Sequence, residues 1–168
     1  DEEAKDRLKE VLENHMPPHV RVKRVMRDIP STEVDAGPQL TNMRQMAHQE
    51  MEEEGERCRC IRCREVGHVK NKHGMEPEEV ELVERDYEAS GGHEYFLSYE
   101  DTEKDIILGF TRLRAPPESH RPEIDEDTLI VRQLKVLGAA TDIGEEGDTQ
   151  HQGYGTRLME KAEEKAEE

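Results

Sequence analysis

The sequence predicts a domain of the α+β or α/β class, in which helices accompany a mixed sheet. Three observations support this prediction. Between residues 80 and 138, stretches of alternating apolar and polar residues follow one another with polar turns between them, as strands do. From Gly153 to the end of the chain, the apolar residues have the spacing of an amphipathic helix. A helical segment with three clustered cysteines precedes the strands.

The composition is strongly acidic and poor in apolar residues. Of 168 residues, 32% are hydrophobic and 39% are charged, and the formal net charge is −17. Such a chain is either largely disordered or a folded protein from a high-salt cytoplasm, where salt screens the repulsion between acidic groups. The long alternating stretches favour the folded protein, from a halophilic archaeon. No stretch approaches the ~20 apolar residues of a membrane span, so we expect no membrane partner.

The first part of the chain is predicted to form a helix and then a strand. Residues 2–15 have helical apolar spacing and end at two prolines, while residues 19–29 alternate. The alternating segment is basic within an acidic chain, which indicates either an anion or nucleic-acid contact or one solvated face of a strand. Its cations are Arg21, Lys23, Arg24 and Arg27.

A second helix is predicted over residues 40–54, followed at once by the cysteines. Its methionines have helical spacing and are expected in the core, Thr41 or Asn42 could cap it, and Gly55 ends it. The odd number of clustered cysteines argues against a disulfide framework and fits a reducing, cytoplasmic setting.

The cysteines have the pattern Cys-x-Cys-x-x-Cys, at Cys58, Cys60 and Cys63. Structural zinc sites are four-coordinate, so three thiolates from one tight turn need one further ligand. His48, His68, His73 or a water molecule could supply it. The neighbouring arginines at 57, 59, 62 and 64 would favour the thiolate forms. The alternatives are inert buried cysteines or redox chemistry, but the spacing favours a metal.

Four strands are predicted in the second half of the chain. The alternating stretches cover residues 79–90, 93–101, 105–114 and 125–138, and the last of them gives the strongest pattern. A Gly-Gly turn and a polar turn separate the first three, which is typical of an antiparallel meander.

A glycine turn follows the last strand and leads directly into the final helix. Glycines at 153 and 155 let the backbone approach a ligand, and the first turn of a helix attracts anions such as a pyrophosphate. The turn lacks the third glycine of a dinucleotide-binding fold and the lysine of a P-loop. Gln-x-x-Gly-x-Gly after a long strand resembles the acetyl-coenzyme A motif of the GCN5-related N-acetyltransferases. In that fold the preceding strand splays from its neighbour and its backbone pairs with the pantetheine arm.

Longer blocks carry a more specific resemblance. RVKRVMRDIPS, CREVG, ERDYEASGGHEYFLSYED, DIILGFTRLR, IVRQLKVLG and QHQGYGTRLM occur in this order from about residue 16 onward. They resemble the catalytic subunit of Elongator, the Elongator protein three family. The resemblance implies a radical S-adenosylmethionine domain followed by an acetyltransferase-like domain. Together these would build a carboxymethyl group on the wobble uridine of tRNA from acetyl-coenzyme A (acetyl-CoA).

The resemblance also implies a division of the chain into three parts. Residues 1–35 would be a remnant of the radical domain, 36–79 a linker with a zinc site that joins the halves, and 80–168 the first part of the acetyltransferase domain. We therefore expect a fold that is incomplete at its C-terminal side. The cysteine pattern is not that of the 4Fe-4S cluster, so the cluster and S-adenosylmethionine are expected only in a missing N-terminal domain, on the same or a partner chain.

Site residues follow from the matched motifs, although none is assigned a catalytic role. The expected acetyl-CoA contacts are Gln133, Leu134, Lys135, Val136, Gln150, Gln152, Gly153, Tyr154, Gly155 and Thr156. Relatives often carry histidine where this chain has Lys135, so the backbone rather than that side chain is expected to bind. The expected tRNA contacts are Arg21, Lys23, Arg24 and Arg27.

Two alternative functions remain open on the sequence. The chain could be a catalytically inactive, zinc-stabilised fragment that binds tRNA. It could also be a general, histone-type protein N-acetyltransferase, which would need a general base near the last strand, with Glu94 and Glu100 as the acids available.

Overall fold

The computed structural model describes residues 1–25, 31–33, 35–37, 40–138 and 153–168 of the chain. They form two compact units, Asp1–Cys63 and Arg64–Glu168. The boundary between the two compact units lies between residues 63 and 64. The predicted domain boundaries after residues 35 and 79 follow from the family resemblance and remain predictions. None of the helices in the described ranges has both the length and the apolar character needed to cross a membrane.

The first unit is built from two helices and the cysteine loop. Helix α1 covers Glu2–Asn14 and α2 covers Met43–Glu53, as the helical spacing predicted. A short 3-10 helix covers Ser31–Glu33. The core of this unit consists of Leu12, Ala47, Met51, Cys58 and Cys60. Two of the three methionines of α2, Met43 and Met51, are buried as expected, and Met46 is half-buried.

The prediction of a strand over residues 19–29 is wrong for its described part, residues 19–25. The carbonyl oxygen of Val20 accepts a hydrogen bond from the Ile61 N–H at 2.9 Å, and that of Val22 accepts one from the Arg44 guanidinium at 2.9 Å. The carbonyl groups of this segment therefore bind α2 and the start of the helix that follows it, rather than a neighbouring strand. Val22 packs on the core, whereas Lys23 and Arg24 after it are exposed.

The second unit contains an antiparallel meander. Two short helices, α3 (Ile61–Arg64, which begins in the first unit) and α4 (Val66–His73), lead into it. The sheet has the order β1-β2-β3-β4, and every neighbouring pair is antiparallel. The strands are β1 (Glu81–Ala89), β2 (Gly92–Asp101), β3 (Ile106–Ala115) and β4 (Ile130–Val136), and helix α5 covers Tyr154–Glu167. All four strands and the final helix were predicted.

Helix α5 lies close to β3 and β4 because β3 carries a glycine at the crossing. A Cβ atom on Gly109 would lie 3.2 Å from the carbonyl oxygen of Lys135 and 3.4 Å from Cδ1 of Leu158. The buried face of α5 is formed by Tyr154, Leu158 and Ala162. Because α5 packs on the sheet, the glycines at its start lie next to strand β4.

Candidate cofactor site and metal centre

The predicted cofactor strand and glycine turn are neighbours. Gln133–Val136 form most of β4, the end strand of the sheet, and no other strand in the described ranges pairs with its outer edge. A Cβ atom on Gly155 would lie 3.6 Å from Cγ2 of Val136. The side chains of Gln133, Leu134 and Lys135 are exposed. An open row of backbone donors and acceptors therefore lies beside the start of α5.

The start of α5 depends on a left-handed glycine. Gly153 is the N-cap with φ +72°, and its carbonyl oxygen accepts the Arg157 N–H at 3.0 Å. Few residues other than glycine adopt this conformation without strain. Gln150 and Gln152, also predicted to contact the cofactor, lie outside the described residues.

Tyr154 has its side chain directed into the sheet rather than outward. Its ring lies 5.1 Å from that of Tyr99, and both side chains are buried. Burial raises the pKa of Tyr154, and this outweighs the opposite effect of Arg157. Tyr154 thus anchors the turn as a neutral phenol, while Thr156 remains exposed.

Arg157 is a candidate site residue that the sequence reasoning missed. Its guanidinium carbon lies 4.3 Å from the centre of the Tyr99 ring and 5.3 Å from that of Tyr154, although the side chain is exposed. The first turn of α5 contains no acidic residue. In a chain with a net charge of −17, an acid-free helix start with an arginine is unusual, because carboxylates are favoured there. This was the available signal of an anion site.

The three cysteines come together as predicted. Their sulfur atoms all lie within 4.8 Å of one another, and those of Cys60 and Cys63 are 3.7 Å apart. Two sulfur ligands 2.3 Å from a tetrahedral zinc ion lie about 3.8 Å apart. The spacing of the thiols therefore fits a zinc ion.

One of the proposed fourth ligands lies at the cysteine cluster. Nε2 of His48, on α2, is 3.9 Å from the sulfur of Cys63. His68 and His73 lie on α4, which belongs to the second unit. Three thiols with one imidazole would make a donor set typical of structural zinc sites.

Helix α2 also supplies a cation to the thiols. The Arg44 guanidinium lies 3.9 Å from the sulfur atoms of both Cys60 and Cys63, and its Nε lies 3.3 Å from Nε2 of His48. Hydrogen bonds from Cys58 and Cys63 hold the pKa of the Cys60 thiol far below its ordinary value. The sequence predicted that positive charge near the thiols would come from the arginines of the cysteine loop, not from α2. One of those, Arg64, instead pairs with Glu100 and Asp105.

The predicted tRNA contacts are partly described. Lys23 and Arg24 are exposed and Arg21 is half-buried. They flank Val22, whose carbonyl is bound by Arg44. Arg27 lies outside the described residues. Basic side chains are thus displayed beside the cysteine cluster.

The two carboxylates considered as general bases are both buried in ion pairs. Burial would raise the pKa of Glu94, but hydrogen bonds from Arg114 and Arg132 outweigh it and lower the pKa. The pKa of Glu100 is likewise lowered, because a hydrogen bond from Arg85 and the charge of Arg64 outweigh its burial. Neither carboxylate is suited to accept a proton from a substrate amine.

Comparisons with known proteins show which proteins the chain resembles. No protein-family profile matches the chain. The tRNA uridine(34) acetyltransferase of Methanocaldococcus infernus is 50% identical over 158 residues, covering 91% of this chain and 30% of that protein. Elongator complex protein 3 of Dictyostelium discoideum is 46% identical over 156 residues, covering 91% of this chain and 28% of that protein. The chain is a homologue of one part of Elongator protein three.

A solved structure extends the likeness to the fold. The archaeal Elp3 of Methanocaldococcus infernus with an N-terminal deletion superposes with a TM-score of 0.87 at 45% identity, over 99% of this chain and 40% of that one. The predicted fold class and the predicted resemblance are thereby confirmed. The chain spans less than a third of the length of these two curated relatives.

Proposed function

We propose that this chain is the acetyl-CoA-binding part of an enzyme that modifies the wobble uridine of tRNA, in the manner of Elongator, towards 5-carboxymethyluridine. The observation that carries the proposal is the open edge of β4 beside the acid-free start of α5. Relatives at 46–50% identity are named for Elongator and for acetyl transfer to tRNA uridine, which supports the substrate class.

In this proposal the backbone rather than any acid or base of the chain binds the cofactor. The outer edge of β4, Gln133–Val136, would pair with the pantetheine arm. The N–H groups at the start of α5, around Gly155 and Thr156, would receive the pyrophosphate, since a helix N-terminus favours anions. Arg157 would add positive charge there.

The second part of the proposal is a structural zinc ion held by Cys58, Cys60, Cys63 and His48. Four protein ligands leave no open coordination position, which is typical of a structural rather than a catalytic site. The ion would join α2 to the cysteine loop. Because the first unit has a small apolar core, such a metal would contribute directly to its folding.

The third part concerns partners. Arg21, Lys23, Arg24 and Arg27 would contact tRNA phosphates, which fix position rather than sequence. S-adenosylmethionine and a 4Fe-4S cluster would belong to a radical domain of the same or a partner chain. Three free cysteines fit a cytoplasmic setting.

The test is acetyl-CoA hydrolysis by the purified chain, with and without tRNA, at the lowest salt concentration that keeps the protein folded, because salt weakens phosphate contacts. Hydrolysis that requires tRNA supports the proposal. Acetyl transfer to an amine without tRNA would favour the histone-type alternative, and tRNA binding without acetyl-CoA binding would favour the inactive fragment.

A matched pair of variants tests the basic segment. Replacing Lys23 and Arg24 together by alanine should weaken tRNA binding and flatten its salt dependence by about two phosphate contacts. The control replaces two other exposed cations, Arg7 and Lys72, which lie on α1 and α4. Equal losses in both pairs would mean that the attraction is not specific to this segment.

The zinc proposal is tested by metal content and by titration with Co²⁺ as a spectroscopic probe. We expect one metal ion per chain and tetrahedral Co²⁺ absorption with thiolate charge transfer. His48→Ala should lower metal affinity by more than the roughly 10- to 100-fold typical of losing an outer-shell partner, and His68→Ala should not. The reverse order would assign the fourth ligand to α4.

A further inference from the structure

A buried carboxylate links three strands at the end of the sheet near β4. Glu94, on β2, is 1% exposed. Arg114 on β3 and Arg132 on β4 both donate to its Oε1 atom, at 2.8 and 2.6 Å. Among the described residues, the other oxygen, Oε2, has no hydrogen-bond partner. The side-chain link from β2 to β4, which we call the tie, therefore depends on the single oxygen atom Oε1 of Glu94.

The same cluster holds the turn between β1 and β2. The Arg114 guanidinium donates to the carbonyl oxygens of Ala89 at 2.8 Å and Ser90 at 3.1 Å. A Cβ atom on Gly92 would lie 2.8 Å from this guanidinium, so the glycine provides the space for it. A continuous set of contacts runs from the first turn of the meander, through β2 and β3, to β4.

The tie reaches β4 at an irregular point. Arg112 pairs with Gln133 and the next residue, Leu113, pairs with Val131, so Arg132 is an extra residue in the ladder. Such a bulge bends a strand and changes the direction of its side chains, and bulges are common beside active sites. This one immediately precedes the backbone of Gln133–Val136.

We propose that Glu94 is a positioning residue, which holds Arg132 in the bulge and thereby sets the course of Gln133–Val136 for acetyl-CoA. This inference rests on the proposed function of that strand. Edge strands open more easily than central ones, because only one neighbour holds them. The tie from β2 supplies β4 with a second attachment that bypasses β3.

The chain contains a matched control for this role. Glu100 lies on the same strand, six residues further on, is also 1% exposed, and is also paired with two arginines. Those partners, Arg64 and Arg85, lie on α3 and β1. Neutralising Glu94 or Glu100 removes the same charge from similar surroundings, but only the first change releases β4.

The experiment compares Glu94→Gln and Glu100→Gln by amide hydrogen exchange and by acetyl-CoA binding. In Glu94→Gln we expect the β4 amides, residues 130–136, to exchange about tenfold faster relative to the β1 amides. Acetyl-CoA affinity should fall about tenfold. The rate at which the bound complex hydrolyses acetyl-CoA should change less. Glu100→Gln weakens the attachment of Arg85 on β1 instead, so the ratio of β4 to β1 exchange should not rise, and the affinity should match the wild type.

Arg132 provides the second variant, because its side chain is 51% exposed and its loss leaves Glu94 paired with Arg114. Arg132→Ala should reproduce faster β4 exchange, and Arg132→Lys should restore much of the wild-type behaviour. If the ratio of β4 to β1 exchange in Glu94→Gln and in Arg132→Ala is the same as in the wild type, the proposal is overturned. If the wild type binds no acetyl-CoA, the proposed function fails, while exchange still decides the role of Glu94.

Discussion

Arg64 is fully buried, which is rare for an arginine outside an interface. Its guanidinium pairs with Glu100 and, at 2.7 Å, with Asp105. Arg85 binds the other side of Glu100 at 2.7 Å, and Ser98 donates to it at 2.6 Å. One residue of the chain thus joins α3, the C-terminal end of β2 and the turn before β3.

The first prediction is that Arg64→Ala destabilises the second unit strongly. Removing one partner of a buried pair leaves the other charge uncompensated, at a cost of about 3–5 kcal/mol in the free energy of unfolding. Urea denaturation measures the change. The control is Arg62→Ala, two residues earlier and exposed, where a change within about 0.5 kcal/mol is expected. Equal losses would show that Arg64 contributes little beyond its exposed neighbour.

The second prediction concerns His93, which lies between two carboxylates of β1. Its ring nitrogens are 2.7 Å from Glu88 and 3.2 Å from Asp86. The hydrogen bond to Glu88, reinforced by the charges of both acids, raises the pKa of His93 above 6.5. A raised pKa in the folded state stabilises the protein below the unfolded pKa, about 6.5, and this contribution is lost as pH rises through the folded value.

The difference in melting temperature between wild type and His93→Gln should therefore be larger at pH 6 than at pH 9. His120→Gln, in the exposed loop between β3 and β4, is the control. A difference that stays constant with pH would mean that the charge of His93 does not stabilise the fold.

At the scale of elements, the start of α5 contains two glycines with different roles. Gly153 has φ +72°, whereas Gly155 lies within the helix and an added Cβ would meet Val136 at an ordinary contact distance of 3.6 Å. We predict that Gly153→Ala costs about 1–2 kcal/mol, because the left-handed conformation is strained with a Cβ. Gly155→Ala should be neutral or should stabilise by up to about 1 kcal/mol.

Thermal and urea denaturation of both variants check this pair. If Gly155→Ala were the more damaging change, close packing of α5 on β4 would outweigh the backbone conformation of the turn. Either way, the comparison measures what each glycine contributes to the stability of the fold.

The elements that the sequence predicts are those with a regular pattern of their own. Strand β1 alternates along its length, whereas β2 and β3 contain continuous buried runs. The left-handed residues Ser90 and Gly91 mark the tight turn between the first two strands. Helix α4 was missed because Val66, Gly67 and His68 are poor helix formers. It forms since Val66 and Val69 are buried, and its one local signal is Gly74, a left-handed cap after Lys70, Lys72 and His73.

The candidate site was predictable only where one segment carries it. The cysteines lie within six residues, and the glycine turn is continuous with its helix. The contacts of His48 with Cys63, and of Glu94 with Arg132, join residues 15 and 38 positions apart. Such contacts depend on how the elements pack, which no local pattern encodes.

At the scale of the whole molecule, the charge of −17 sets how the fold responds to salt. Repulsion among carboxylates opposes compaction, and the screening length falls from about 30 Å at 0.01 M salt to about 3 Å at 1 M. We predict that the melting temperature rises with KCl, most steeply at low concentration. Potassium sulfate at matched ionic strength is the control, because sulfate also acts by exclusion. A rise seen only with sulfate would argue against screening.

The burial of Arg64 determines where the molecule could be cut. A fragment that began at residue 80, where the strand pattern starts, would retain every strand and α5 but would lose the cation between Glu100 and Asp105. Asp105 and Glu100 would then both lose their Arg64 partner, and Glu100 would keep Arg85 as a paired cation. The smallest piece of the second unit that can be expected to fold by itself starts no later than residue 64, directly after the last cysteine. Any transplant of the second unit into another protein would have to include this arginine.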